Sequence, residues 1–165
     1  MENRGKKFEK NFEMNWKNSF PNTLVFRIQD QQSGYAGSTN PCDFICFPNN
    51  GKLYMIEVKS THKNTFSIAK RYDTDKGKYV YDFRQYPELV EYCKYENVVV
   101  GVVIWYEDHD KIIFVPIQEV TKMMNDGLKS INVKMIEDSL YNIVEIPSKK
   151  KRVYLESDYS VLKNL

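Results

Sequence analysis

Several protein classes depend on residues that this sequence has in small number. Its 165 residues include three cysteines, Cys42, Cys46 and Cys93, which form neither an even disulfide set nor a CxxC metal pair. Its two histidines, His62 and His109, lack the HExxH spacing of zinc proteases, and the sequence contains no GxxxxGK[ST] loop and no GxSxG elbow. Zinc catalysis, nucleotide hydrolysis at a phosphate loop and acyl transfer are therefore disfavoured.

The sequence also lacks long apolar runs and a surplus of charge. No apolar stretch approaches the roughly 20 residues that span a bilayer, and the first residues, MENRGKKFEKNF, lack the apolar core of a signal peptide. The 24 basic and 22 acidic side chains nearly cancel, so a site for nucleic acid must arise from local clustering. We expect a reduced, cytoplasmic protein with no membrane partner, and the Lys, Asn and Tyr usage suggests a bacterial or phage origin.

Apolar residues are numerous enough to form one core. The hydrophobic fraction is 42% and the aromatic fraction 14%, and we expect residues 1–165 to form a single domain. The predicted elements are a helix at 4–19, a strand at 23–29, a hairpin formed by CDFICF and KLYMIEVK, a helix at 82–96, strands at 98–106 and 111–116, a helix at 117–127, and two tail strands within YNIVEIP and KKKRVYL. This order predicts an α/β fold, with helices flanking a mixed central sheet.

The predicted hairpin carries three charges within apolar runs. Because side chains alternate along a strand, Glu57 and Lys59 share one face, and the turn PNNG brings Asp43 onto the neighbouring strand. Two converging carboxylates repel each other unless a divalent cation or a positive side chain neutralises them. Magnesium suits carboxylate oxygens, and a neighbouring lysine can position water or offset charge on a phosphodiester. The alternative is a solvated hairpin face, but we expect the strand after Asp43 to be buried on both faces, which favours a site.

Asp43, Glu57 and Lys59 resemble the PD-(D/E)xK nuclease signature, through the strings NPCD and EVK. The chain also resembles the RecU family of Holliday junction resolvases and their archaeal counterparts in four blocks, which are RGKKFEKNFE, GST, EVKST and FRQYPELVEY. The resemblance implies a restriction-endonuclease-like core and a magnesium-dependent endonuclease, with manganese as a substitute metal. It also implies a homodimer that resolves four-way DNA junctions by paired symmetric nicks. RecU members insert a protruding stalk into the junction. The segment between the first helix and Asp43 is shorter in this chain than in RecU, so we expect a shortened stalk.

The resemblance implies roles for particular residues. Asp43 and Glu57 would bind magnesium, with the carbonyl group of Val58 as a further ligand, and Lys59 would position water or stabilise the transition state. Gln85 corresponds to a glutamine near the metal, and its alternative is a solvated helix residue.

Three further positions follow from the resemblance. Glu9 corresponds to an acid that archaeal resolvases direct into the site, against the alternative of an exposed helix glutamate, and Ser33 corresponds to a serine of their catalytic region. RecU members have a threonine where this chain has Pro41, so Thr39 or water would replace that ligand.

Basic and aromatic residues predict contact with DNA. The basic residues are Arg4, Lys6, Lys7, Lys63, Lys70, Arg71, Lys76 and Lys78. The first three lie where a helix dipole disfavours cations unless an anion is near. The others surround the stretch AKRYDTDKGKYVYD, which we expect to be a loop or a hairpin whose tyrosines could stack on unpaired bases. Ordinary solvated residues are the alternative here. For the whole chain, the alternatives are a PD-(D/E)xK nuclease with other DNA substrates and a DNA-binding protein that does not cut.

Overall fold

The computed structural model describes residues 4–28, 40–152 and 154–165. In these ranges the helices are α1 (Arg4–Ser19), α2 (Tyr86–Tyr92) and α3 (Ile117–Asn125), with short 3-10 helices at Glu107–His109, Val133–Glu137 and Tyr159–Asn164. The strands are β1 (Leu24–Arg27), β2 (Phe44–Phe47), β3 (Leu53–Thr61), β4 (Thr65–Ser67), β5 (Lys70–Asp73), β6 (Lys78–Tyr81), β7 (Val98–Tyr106), β8 (Lys111–Pro116), β9 (Ser130–Asn132), β10 (Val144–Ile146), β11 (Ser148–Lys150) and β12 (Leu155–Ser157). None of the helices described here is long and apolar enough to cross a membrane.

A six-stranded sheet forms the centre of the fold, in the order β1-β2-β3-β7-β8-β10. Strands β3 and β7 run parallel and the other neighbouring pairs are antiparallel. One face packs against α1 and the other against α2 and α3, so both faces of the central strands are apolar. The predicted mixed sheet with flanking helices is thereby confirmed.

The aromatic stripe of α1 is buried as its spacing predicts. Phe8, Phe12 and Trp16 recur every four residues and therefore lie on one face of the helix, where all three are buried. The ring of Phe12 lies 4.8 Å from that of Phe44 on β2, and Phe8 lies 5.1 Å from Trp105 near the end of β7. The first turns of α1 therefore lie at the end of the sheet where the parallel strands β3 and β7 finish.

The second helix is shorter than the predicted span of 82–96. It begins after Gln85, and Pro87 occupies the first turn, where its missing N–H group leaves no intrahelical bond unmade. At the other end, the N–H group of Cys93 donates to the carbonyl group of Val90 at 3.1 Å. This hydrogen bond joins residues three apart, as in a 3-10 helix, so it tightens the last turn. The chain then leaves the helix toward β7.

Three predicted strands also differ from the observed ones. The strand predicted at 23–29 is observed as the shorter β1, Leu24–Arg27, and residue 29 of the predicted span lies outside the described residues. The stretch KKKRVYL is not one strand, because β11 ends at Lys150 and β12 begins at Leu155, and these two strands pair as a hairpin. Asp43 precedes β2 and is half-buried, and β2 alternates between buried and half-buried residues. The prediction that this strand is buried on both faces was therefore wrong.

Candidate active site

Asp43 and Glu57 lie near each other at the end of the β2–β3 pair. Phe44 lies opposite Ile56 there, Asp43 and Glu57 are the next residues of the two segments, and the charge of Asp43 acts on Glu57. The Asp43 carboxylate accepts a hydrogen bond from the N–H group of Val58 at 2.8 Å. The backbone carbonyl group of Asp43 accepts a hydrogen bond from the N–H group of Ile28, just beyond β1, at 2.8 Å. Backbone contacts from both sides thus fix the position of this acid.

Glu57 and Lys59 occupy the same face of β3, as their spacing predicts. Glu57 is only 1% exposed, although it carries a carboxyl group, and Lys59 donates to it with its ammonium nitrogen 2.5 Å from Oε1. The lysine side chain is 29% exposed, so its head reaches from the buried acid to the surface. The structure therefore brings together the three residues of the predicted catalytic set.

Burial perturbs the acidity of this group of residues. Loss of water raises the pKa of Glu57 from its ordinary value of 4.5 to about 7. The charge of Lys59 works against this rise and the nearby charge of Asp43 adds to it. Burial also raises the pKa of the Cys42 thiol to about 12, and the negative charges of Glu57 and Asp43 contribute. Among the described residues, the charge of Lys59 thus only partly offsets the effects of burial and of Asp43 on Glu57.

This arrangement fits a hard divalent cation. Among the residues that the structure describes, no group of three His, Cys, Asp or Glu side chains could hold a metal ion. Magnesium, however, commonly uses one or two protein carboxylates and completes its shell with water and substrate phosphate. The carboxylates of Asp43 and Glu57 supply that number, and a cation held by both would offset burial and the charge of Asp43, which together raise the pKa of Glu57.

Gln85 is at the N-terminus of α2. It is the N-cap residue, its side chain makes no capping hydrogen bond, and its carbonyl group accepts from the N–H group of Leu89 at 3.0 Å. Leu89 and Met55 belong to the same core cluster, so α2 packs on the face of the sheet from which Glu57 projects. Gln85 is half-buried on that side of the sheet.

Glu9 lies on the other face of the sheet from Glu57 and Lys59. The α1 side of the sheet carries Phe44 and Val58, and there Arg27 donates to Glu9 with Nε 3.0 Å from Oε2 and also through Nη2. Arg27 lies opposite Phe44 in the β1–β2 pair and is therefore next to the strand position of Asp43. The structure thus holds Glu9 against Arg27 at the edge of the sheet.

The sequence reasoning missed Arg27. The sequence signal for this residue is one charge between apolar neighbours, since Arg27 follows Leu24, Val25 and Phe26 and precedes Ile28. Ser33 and Thr39, the candidate serine and the candidate replacement ligand, lie outside the described residues. Their proposed roles stay predictions.

The predicted DNA-contacting residues fall into two groups along the chain. Arg4 begins α1, and Lys6 and Lys7 follow it as exposed residues of the first turn. The remaining predicted cations are all exposed, and they are Lys63, Lys70, Arg71, Lys76 and Lys78. Two of these have acidic partners, since Arg71 lies 2.7 Å from Asp82 and Lys76 lies 3.5 Å from Asp73.

The polar stretch between Lys59 and Gln85 contains a β-hairpin, one of the two forms that the sequence predicts. Strands β5 and β6 pair with Tyr72 opposite Tyr79, and the turn between them contains Gly77 at a φ of 60°. Glycine adopts such a positive φ without steric cost, which accounts for its place in the turn. Lys70 lies 5.0 Å from the ring centre of Tyr79.

The fold is shared with an archaeal protein of known structure. The chain is similar to Hjc of Archaeoglobus fulgidus, described as a Holliday junction resolvase from an archaeal hyperthermophile, with a TM-score of 0.50. The two sequences are 19% identical, and the similarity covers 79% of this chain and 89% of that protein. No protein-family model matches the chain, and no curated protein matches it. The predicted restriction-endonuclease-like architecture is thereby confirmed, whereas the resemblance to RecU stays a prediction.

Proposed function

We propose that this chain is a magnesium-dependent endonuclease that resolves four-way DNA junctions. The observation that carries the proposal is the pair of neighbouring carboxylates, Asp43 and Glu57, with Lys59 in contact with the buried one. The shared fold with an archaeal junction resolvase supports this choice of substrate. Manganese is expected to substitute for magnesium, because it also suits oxygen ligands.

Each residue of the site has a distinct role in this proposal. Asp43 and Glu57 would hold the metal, with the carbonyl group of Val58 and the side chain of Gln85 as further oxygen ligands. Magnesium, when bound, would polarise the scissile phosphodiester. Lys59, fixed at one end by Glu57 and partly exposed, would position the attacking water or offset the charge that develops on the phosphate.

Two further residues are assigned supporting roles. We infer that Glu9 helps to order the edge of the site through Arg27, which adjoins the strand position of Asp43. Ser33 is proposed as a residue of the same region on the resemblance alone.

DNA would meet the end of the sheet at which β3 finishes. The first turns of α1 lie at that end, and Lys6 and Lys7 present two exposed cations there. Phosphate contacts of this kind position the duplex without reading its sequence. A four-way junction has two-fold symmetry, so two symmetric nicks require two active sites, and we propose that the protein acts as a homodimer.

A cleavage assay with a four-way junction tests the proposal. With magnesium, we expect Asp43→Asn and Lys59→Ala to lower the cleavage rate by about 100-fold or more, because each removes a group that meets the charged reacting centre. With calcium, both variants should bind the junction within a few fold of the wild type. Glu145→Gln, at an exposed acid on the far edge strand β10, is the matched control and should cleave normally.

The outcomes separate the alternatives. Unchanged cleavage in Asp43→Asn or Lys59→Ala would overturn the assignment of the active site. Equal cleavage of the junction and of a linear duplex of the same sequence would favour a nuclease with other DNA substrates. Binding without cleavage by the wild type, with either magnesium or manganese, would favour a DNA-binding protein that does not cut.

A further inference from the structure

Two tyrosines of the β5–β6 hairpin are far more exposed than their size would suggest. Tyr72 is 54% exposed and Tyr79 is 63% exposed, and their rings pack edge to face at 5.3 Å across the two strands. We propose that these two rings stack on bases exposed at a DNA branch point and so give the protein its preference for branched over linear DNA. This inference rests on the proposed function and names the residues that select the substrate.

The hairpin has its base beside the first turn of α2. The N–H group of Asp82 donates to the carbonyl group of Ala69 at 2.9 Å, which closes the base of the hairpin. Tyr81, two residues after Tyr79, lies 5.2 Å from the ring of Tyr86 in the first turn of α2. Since α2 packs on the face of the sheet from which Glu57 projects, the hairpin extends into solvent from that face.

One face of the hairpin carries aromatic rings for a base and a cation for a phosphate. Residues paired across strands share a face, so Lys70, Tyr72, Tyr79 and Tyr81 lie on the same side. The ammonium group of Lys70 lies 5.0 Å from the centre of the Tyr79 ring. A base stacked on this surface would therefore have a cation near its own phosphate, whereas the opposite face carries Arg71 and charged or aliphatic residues.

The chemistry of stacking selects branched DNA. Every base offers a flat π-surface, but in a linear duplex both surfaces are already covered by neighbouring base pairs. At a branch point the stacking is interrupted, so an aromatic ring can cover a base without first separating two base pairs. An aromatic ring contributes roughly tenfold to affinity for each base on which it stacks, and this contribution does not depend on sequence.

A tyrosine pair of this kind also stabilises its own hairpin, and the variants must separate the two roles. Leucine at both positions keeps an apolar cross-strand contact but removes the flat ring. Phenylalanine at both positions keeps the ring and removes only the hydroxyl group. Tyr95→Leu is a matched control, because Tyr95 is 54% exposed, lies beside Lys94, and sits just before the start of β7, at the opposite end of the sheet.

The experiment measures dissociation constants in calcium for a four-way junction and for a linear duplex of the same sequence. Fluorescence from 2-aminopurine at the branch point reports stacking directly. We expect the Tyr72→Leu/Tyr79→Leu protein to bind the junction about tenfold more weakly or worse, to bind the duplex normally, and to lose the change in fluorescence. The double phenylalanine protein and Tyr95→Leu should stay within about twofold of the wild type.

Other outcomes overturn one claim or the other. If the junction-to-duplex ratio of the double leucine protein equals that of the wild type, the tyrosines do not select the substrate. An equal fall in the affinities for junction and duplex is one way in which that ratio stays unchanged. If the double variant does not fold, Tyr79→Leu alone is measured against the same criteria. A wild type that binds the duplex as tightly as the junction overturns the proposed junction specificity itself.

Discussion

Glu57 combines almost complete burial with an ionisable group, which a folded protein tolerates only with compensation. Its one described ion pair is with Lys59, while the charge of Asp43 opposes ionisation. An isolated buried carboxylate would be protonated at neutral pH, and Lys59 limits that effect without cancelling it. The residue is thus prepared for a second cation, which would allow both acids to ionise together.

The raised pKa of Glu57 predicts a pH dependence of stability in metal-free protein. The folded pKa of about 7 exceeds the ordinary value of 4.5, so the stabilising effect is fully present below pH 4.5. It is lost as the pH rises to about 7, because the unfolded chain releases this proton first. The full loss is at most about 3 kcal/mol, from the pKa difference. Urea unfolding between pH 4.5 and 8 measures it.

Glu57→Gln provides the comparison for this prediction. The variant should lack the decline that the wild type shows over the same pH range, while Glu145→Gln should follow the wild type. Adding magnesium at pH 8 should stabilise the wild type and leave Glu57→Gln nearly unchanged, because binding to the folded state alone raises its stability. Parallel pH profiles for the wild type and Glu57→Gln would show that this carboxyl group is not perturbed as described.

The sequence predicted part of the site because the period of a strand is simple. Alternation alone placed Glu57 and Lys59 on one face, and the short turn brought Asp43 opposite. It did not predict the pairing of Glu9 with Arg27, because that contact depends on β1 lying at the sheet edge under α1. A long-range contact of this kind leaves no periodic signal in either segment.

At the level of elements, the β-branched run of β7 was predicted with its observed bounds, 98–106. Such a run has one stable location, a central strand covered on both faces. Its central position in the sheet assigns Val100 and Val102 to the core. The ends of α2 were not predicted, because Pro87 and tertiary contacts set them, and the apolar pattern around them continues beyond the helix.

Gly101 gives a prediction at this level. It lies in the middle of β7, and a Cβ atom there would overlap the ring of Phe114 on β8. Gly101→Ala should therefore destabilise the protein by about 1–3 kcal/mol through overpacking. In a Phe114→Leu background, where the ring is absent, the same change should cost less than about 1 kcal/mol. Urea unfolding of the four proteins measures both values, and an equal cost in both backgrounds would contradict the proposed overlap.

At the scale of the whole molecule, DNA contact must come from where the charges lie, because the total is +2. The exposed cations Lys6 and Lys7 lie at the end of the sheet where β3 finishes. The hairpin, whose base lies beside α2, carries the exposed cations Lys70 and Lys78. The first group lies on the face of the sheet covered by α1, and the second lies on the face from which Glu57 and Lys59 project. A DNA arm that reaches Lys59 could then contact cations from both sides.

The proposed dimer makes a prediction about the products of one binding event. On a supercoiled plasmid with an extruded cruciform, two active sites in one complex should convert the circle directly to a linear product, because both strands are cut before release. A heterodimer of wild-type and Asp43→Asn subunits, purified by two different tags, should give nicked circles. Sedimentation at the concentration used for cleavage should show a dimer. A monomer there, or linear product from the heterodimer at the wild-type rate, would contradict paired action by two subunits.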